Sequence, residues 1–186
     1  MRIPARRSLL TVAMVCMATA VVPGLAFATS STETVTAGTL TFTTPSTAVF
    51  GAASVTGAAQ SVTAVQAIDV TDNTGSGAGW NVTLTSTTFT SGANLLATTA
   101  TTEPAVPAIA CDVALACTLA VGATITYPLT VPAATTAPTA IKIFNAGVGT
   151  VLVAQTATNT FSLALPAAVK AGTYTSTWTY SLVSAP

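Results

Sequence analysis

Between Leu40 and Leu182 one arrangement keeps returning: an apolar side chain at every second position, with a hydroxyl between. Leu40 and Phe42 alternate with Thr39, Thr41 and Thr43, and Ile68 and Val70 follow in a similar stretch. Trp80, Val82 and Leu84 alternate with Asn81, Thr83 and Thr85. Ile125, Tyr127, Leu129 and Val131 form another run, and Phe161, Leu163 and Leu165 a further one. In the last run Tyr174, Ser176, Trp178, Tyr180 and Leu182 oppose Thr173, Thr175, Thr177, Thr179 and Ser181. Successive side chains of a strand point to opposite faces, so each run makes a strand with one apolar and one hydroxyl-rich face. Threonine reinforces this, being β-branched and favouring extended backbone. Helical spacing is scarce beyond residue 28.

Turn chemistry separates the runs. Asp72-Asn73-Thr74-Gly75-Ser76-Gly77-Ala78-Gly79 reads as a flexible loop and Ala171-Gly172 as a tight turn. Pro128 inside a strand pattern demotes that strand to an edge or a bulge. Short strands with one buried face predict an all-β fold, an antiparallel β-sandwich of two stacked sheets. An outer-membrane barrel shares the alternation, but the Pro-rich connections and the lack of an aromatic C-terminus favour the sandwich. Residues 91–123, rich in Ala, Thr and Pro, read as a long loop or insertion.

The first residues set the compartment. Arg2, Arg6 and Arg7 precede an apolar run from Leu9 to Leu25, which ends at Ala26-Phe27-Ala28. Basic head, apolar middle and small-x-small exit predict a secretory signal peptide over 1–28 and a single mature domain over 29–186. The alternative is an uncleaved anchor, against which Pro23 and Gly24 argue. The expected location is outside the cell, at the surface of a bacterium, with no membrane association after signal removal. Of three cysteines, Cys16 leaves with the signal, and Cys111 and Cys117 remain. Outside the cell an even count favours a disulfide closing the five-residue loop between them, with two buried free thiols as the alternative.

Charge and missing residue types then exclude functions. Beyond residue 28, Lys142 and Lys170 stand against Glu33, Asp69, Asp72, Glu103 and Asp112, a net of −3. Nucleic acid has no electrostatic footprint to meet. With no histidine in the chain, neither a Ser-His-Asp nor a Cys-His arrangement can form, and two cysteines fall short of a four-ligand metal site. Asp69 and Asp72 flank the Gly-rich loop but read better as strand-end carboxylates bonding the turn backbone than as catalytic or calcium-binding groups. No enzyme, cofactor or metal is expected.

One resemblance adds to this. Asp69-Val-Thr-Asp72-Asn-Thr-Gly75-Ser-Gly-Ala-Gly79-Trp80-Asn-Val82-Thr-Leu84 resembles the first motif segment of the WxL-domain family of Gram-positive surface proteins. Ala171-Gly172-Thr-Tyr174-Thr-Ser-Thr-Trp178-Thr-Tyr180-Ser-Leu182-Val183-Ser-Ala-Pro186 resembles the segment that closes that domain. The triplets here read Trp80-Asn81-Val82 and Tyr180-Ser181-Leu182, with Val for Leu in the first and Tyr for Trp in the second. The resemblance implies a secreted β-domain attached non-covalently to the cell wall through peptidoglycan or another wall glycan, with other surface proteins as further partners. Trp80, Val82, Trp178, Tyr180 and Leu182 are the motif positions. A triplet in a strand places its outer side chains on one face, so the tryptophans are either core residues or exposed platforms for sugars. A self-assembling surface fibre or coat subunit is the alternative function, with the extended Ser30–Thr43 segment pairing onto a neighbour's sheet edge.

Overall fold

A computed structural model describes residues 30–112, 125–149 and 154–184. Residues 1–28, the expected signal peptide, and Cys117 lie outside the described residues. Residues 36–186 form one compact unit and residues 1–35 another. Twelve strands and no helix occur among the described residues. They are β1 (Leu40–Thr43), β2 (Gln60–Asp72), β3 (Trp80–Thr87), β4 (Thr90–Ser91), β5 (Asn94–Leu95) and β6 (Thr101–Glu103). The remainder are β7 (Ala108–Cys111), β8 (Leu129–Thr130), β9 (Ala133–Ala134), β10 (Ile141–Ala146), β11 (Gln155–Leu165) and β12 (Trp178–Ser184).

Two sheets face each other. One runs β1-β2-β11-β6-β8 with β7 also on β11; the other runs β10-β3-β12 with β9 on β3. All pairings are antiparallel except β3 with β9. The core between the sheets joins Ile68 and Val70 of β2, Trp80, Val82 and Leu84 of β3, Ile143 and Phe144 of β10, and Phe161 of β11. The sequence pattern therefore locates the inner face of β3, β11 and β12.

The structure differs from the sequence expectation in four places. β2 is thirteen residues long and pairs with β11 along most of its length; Val65 and Ala67 face solvent while Gln66 faces inward and is buried, which hides the alternation from sequence. β10 has no clean period, since its register shifts between Lys142 and Phe144 and Ile143, Phe144, Asn145 and Ala146 are all buried. The run 125–131 shrinks to β8, where the Tyr127–Pro128 peptide is cis. Finally, 91–112 is more than a loop: β6 and β7 both pair with β11 and extend the main sheet.

The Gly-rich connection between β2 and β3 is tied down at several points. Asp72 Oδ1 accepts from the Thr74 N–H (3.0 Å) and hydroxyl (2.7 Å), the strand-end role its position suggests. The Gly149 N–H donates to the Gly77 carbonyl at 2.9 Å. Gly79 has φ +77°, and a Cβ there would lie 2.5 Å from the Ala146 carbonyl oxygen. Only glycine fits.

Candidate functional site: the paired motif strands and the strap beside them

The two motif segments lie far apart in sequence and side by side in the fold. β3 and β12 are antiparallel neighbours, with Leu182 opposite Val82, Tyr180 opposite Leu84 and Trp178 opposite Ser86. The last residues of the two triplets are thus direct cross-strand partners. Trp80 is 3% exposed and meets Phe144 edge-on at 5.1 Å, and Val82 is fully buried. Trp178, Tyr180 and Leu182 are half-buried and pack against the same core. The Trp178 ring makes edge contacts with Phe161 (4.8 Å) and Phe50 (5.9 Å). The five motif side chains therefore form one apolar seam between the sheets, and no indole lies open as a flat platform.

Tyr174, just before β12, closes a corner: its hydroxyl donates to the Lys170 carbonyl at 3.1 Å. A tyrosine bonding back to backbone a few residues upstream fixes the entry of a sandwich strand. This sets the 169–174 turn against a second element that no motif announces. Residues 44–59, between β1 and β2, carry no strand and run as an irregular strap. The strap is pinned by the Gly51 N–H to the Thr63 carbonyl (3.1 Å), by Gln66 Nε2 to the Thr47 carbonyl (3.1 Å) and by Gln60 Nε2 to the Ser54 carbonyl (2.7 Å). Phe50 inserts its ring between Phe89 and Trp178.

Two grooves flank this strap. The first, of about 700 Å³, lies between the strap and the 169–174 turn. Phe50, Val62, Leu163, Leu165 and Tyr174 give it an apolar floor, and Lys170 is its single charged lining residue. The second, of about 630 Å³, lies between strap residues 44–48 and the stretch Tyr174–Tyr180, with no charged residue in its lining. Hydroxyls of Thr44, Ser46, Thr175 and Thr177 line it.

A buried acid sits behind the seam. Glu103 at the end of β6 is fully buried, and neither carboxylate oxygen finds a hydrogen-bond partner. Burial pushes its carboxyl up to about 8, so the group is neutral at pH 7. The Tyr180 hydroxyl is also buried without a partner. Burial and then the Glu103 charge raise the phenols of Tyr180 and Tyr127 above their ordinary range; the Tyr127 hydroxyl donates to the Ile143 carbonyl at 2.7 Å.

Cys111 ends β7. Asp69 faces solvent, and its Oδ1 lies 2.8 Å from the Thr156 hydroxyl, which also contacts Asp112 Oδ1, so these two carboxylates meet at one hydroxyl. Among the described residues no three His, Cys, Asp or Glu side chains gather as a metal site, and no helix is long and apolar enough to cross a membrane.

The class these features define is an all-β sandwich module whose two motif strands zip together in its core. Comparison with known families is more specific. Residues 21–186 match the family described as WxL domain, surface cell wall-binding, and the chain belongs to that family. The family is one of wall-binding surface domains, not of enzymes. No curated protein and no solved structure matches the chain significantly.

Proposed function

We propose that this protein is secreted by cleavage after Ala28 and held non-covalently on the wall by peptidoglycan, which lies in the groove between the strap and the 169–174 turn. The observation that carries this reading is the make-up of that groove: a broad apolar floor with Lys170 as its one cation. Sugar rings present apolar C–H faces that pack on such a floor, and Lys170 offers one ammonium to a carboxylate of the wall polymer. The motif tryptophans, Trp80 buried against Phe144 and Trp178 half-buried against Phe50 and Phe161, act in this reading as the frame that holds the turn. No catalytic role is assigned, and the Cys111–Cys117 disulfide belongs to the same proposal.

Pull-down on purified peptidoglycan tests it. Lys170 is exposed, so Lys170→Glu should leave the melting temperature unchanged and weaken binding about tenfold, or 1.4 kcal/mol. On intact cells, chaotrope or high salt should release the wild-type protein. Release by muramidase alone, or full binding by the Lys170→Glu variant, would contradict the assignment.

A further inference from the structure

β12 is the edge strand of its sheet, with β1 and the strap across a groove from it. Among the described residues it pairs with β3 and with nothing on its other side. Thr175 exchanges both backbone hydrogen bonds with Thr90 at 2.9 Å, and the Thr177 carbonyl accepts from the Thr87 N–H at 2.9 Å. Those residues turn their backbone groups toward the β3 side. Backbone direction alternates along an antiparallel strand, so the N–H and C=O groups of Ser176, Trp178, Tyr180 and Leu182 point away from β3. Exposed edges are commonly protected by a lysine, a proline or a bulge. Along β12 neither a lysine nor a proline does so: residues 173–184 contain no charge and no proline, and the β12–β3 register is unbroken over Trp178–Ser184, with one shift before it between Thr175 and Thr177. The uncharged groove of about 630 Å³ runs beside this edge, with the strap as its far wall.

The same chain carries a segment of matching chemistry. Residues 30–37, Ser-Ser-Thr-Glu-Thr-Val-Thr-Ala, precede the first backbone bond that ties the N-terminal stretch down, from the Gly38 N–H to the Asn73 carbonyl. Each of these residues is exposed and none is in a strand. Val35 is 89% exposed. Thr32, Thr34, Val35 and Thr36 are β-branched, which favours extended backbone. Extended, eight residues reach roughly 26 Å, and the seven of β12 span roughly 23 Å. We infer that residues 30–37 of one copy add as a strand to the free edge of β12 in a second copy, linking molecules head to tail. Such a head-to-tail interface builds rings where its rotation closes and open chains where it does not. It leaves the first groove available, so assembly and wall binding are separable properties of one molecule.

Protein extracted from the cell surface under mild conditions should show a concentration-dependent ladder by size-exclusion chromatography with light scattering. Deleting residues 30–37 should reduce it to monomer. Thr179→Lys places a charge beside the edge from an exposed position, and should give monomer with unchanged melting and unchanged peptidoglycan pull-down. A free peptide of residues 30–37 should shorten the wild-type ladder. Monomer at every concentration, or a ladder that survives both the deletion and Thr179→Lys, would overturn the inference.

Discussion

Glu103 is the residue whose chemistry is least expected in so uncharged a chain. Its carboxyl is fully buried without a partner, and its pKa rises from 4.5 to about 8 on folding. Between those values the folded chain keeps a proton that the unfolded chain has released. Stability from this group is therefore complete below pH 4.5 and is lost as pH rises to about 8. The slope is at most roughly 1.4 kcal/mol per pH unit, about 5 kcal/mol over the window. Tyr127 and Tyr180, the phenols that feel its charge, stay neutral throughout. Denaturant melts across pH 5–8 should show this decline, and Glu103→Gln, which cannot ionise, should flatten it. A wild-type profile parallel to that of the variant would exclude the assignment. The tryptophans separate at the same scale. Trp80 is enclosed and Trp178 half-buried, so Trp80→Ala should cost the larger share, about 4 kcal/mol, and Trp178→Ala about 3 kcal/mol. Thermal melts of the two variants side by side check the order.

Among the elements, the β2–β3 connection shows how a loop can be specified by one atom. Gly79 and Gly77 both have positive φ, but an added Cβ meets the Ala146 carbonyl at Gly79 and open space at Gly77. Gly77→Ala should therefore cost only the conformational strain, about 1 kcal/mol. Gly79→Ala adds a backbone collision and should cost about 3 kcal/mol. Equal losses in denaturant melts would show that conformation, not contact, selects both glycines. How much was legible in sequence also follows element by element. β3, β11 and β12 announce themselves because threonine or serine alternates with large apolar residues, and the motif positions sit on those strands. β2 does not, because Gln66 occupies the inner face while Val65 lies outside. The bulge in β10 buries four successive residues and erases its period. β6 and β7 are short strands of Thr, Ala and Ile in a Pro-rich stretch, and owe their order to pairing with β11. The strap has no periodicity at all; Phe50 and three side-chain or backbone bonds hold it. Half of the candidate site was therefore invisible. So was Glu103, since a lone acid before Pro104 carries no sign that β6 will be drawn into the core.

Taken as a whole, the molecule depends on what happens at its N-terminus. Its strands present hydroxyls rather than charges, and the segment upstream of β1 is exposed at every residue from 30 to 39. If residues 1–28 remain, that segment is a tether between a membrane anchor and the domain, and chaotrope will not free the protein. Cleavage after Ala28 makes Thr29 the new terminus and leaves 30–37 free at one end to reach another molecule. The oxidising exterior that cleavage implies also suits a bond between Cys111 and Cys117. Closing so short a loop stabilises by about 2 kcal/mol in the chain-entropy picture, where Cys111 ends a strand already paired to β11. Both expectations meet in one measurement. The intact mass of the surface protein should correspond to a chain starting at Thr29 and lie two hydrogens below the fully reduced form. Alkylation of the native protein should add no label, and alkylation after reduction and unfolding should add two. A mass that retains residues 1–28 would make the N-terminal segment a tether, and two labels on the native chain would leave the end of β7 held by strand pairing alone.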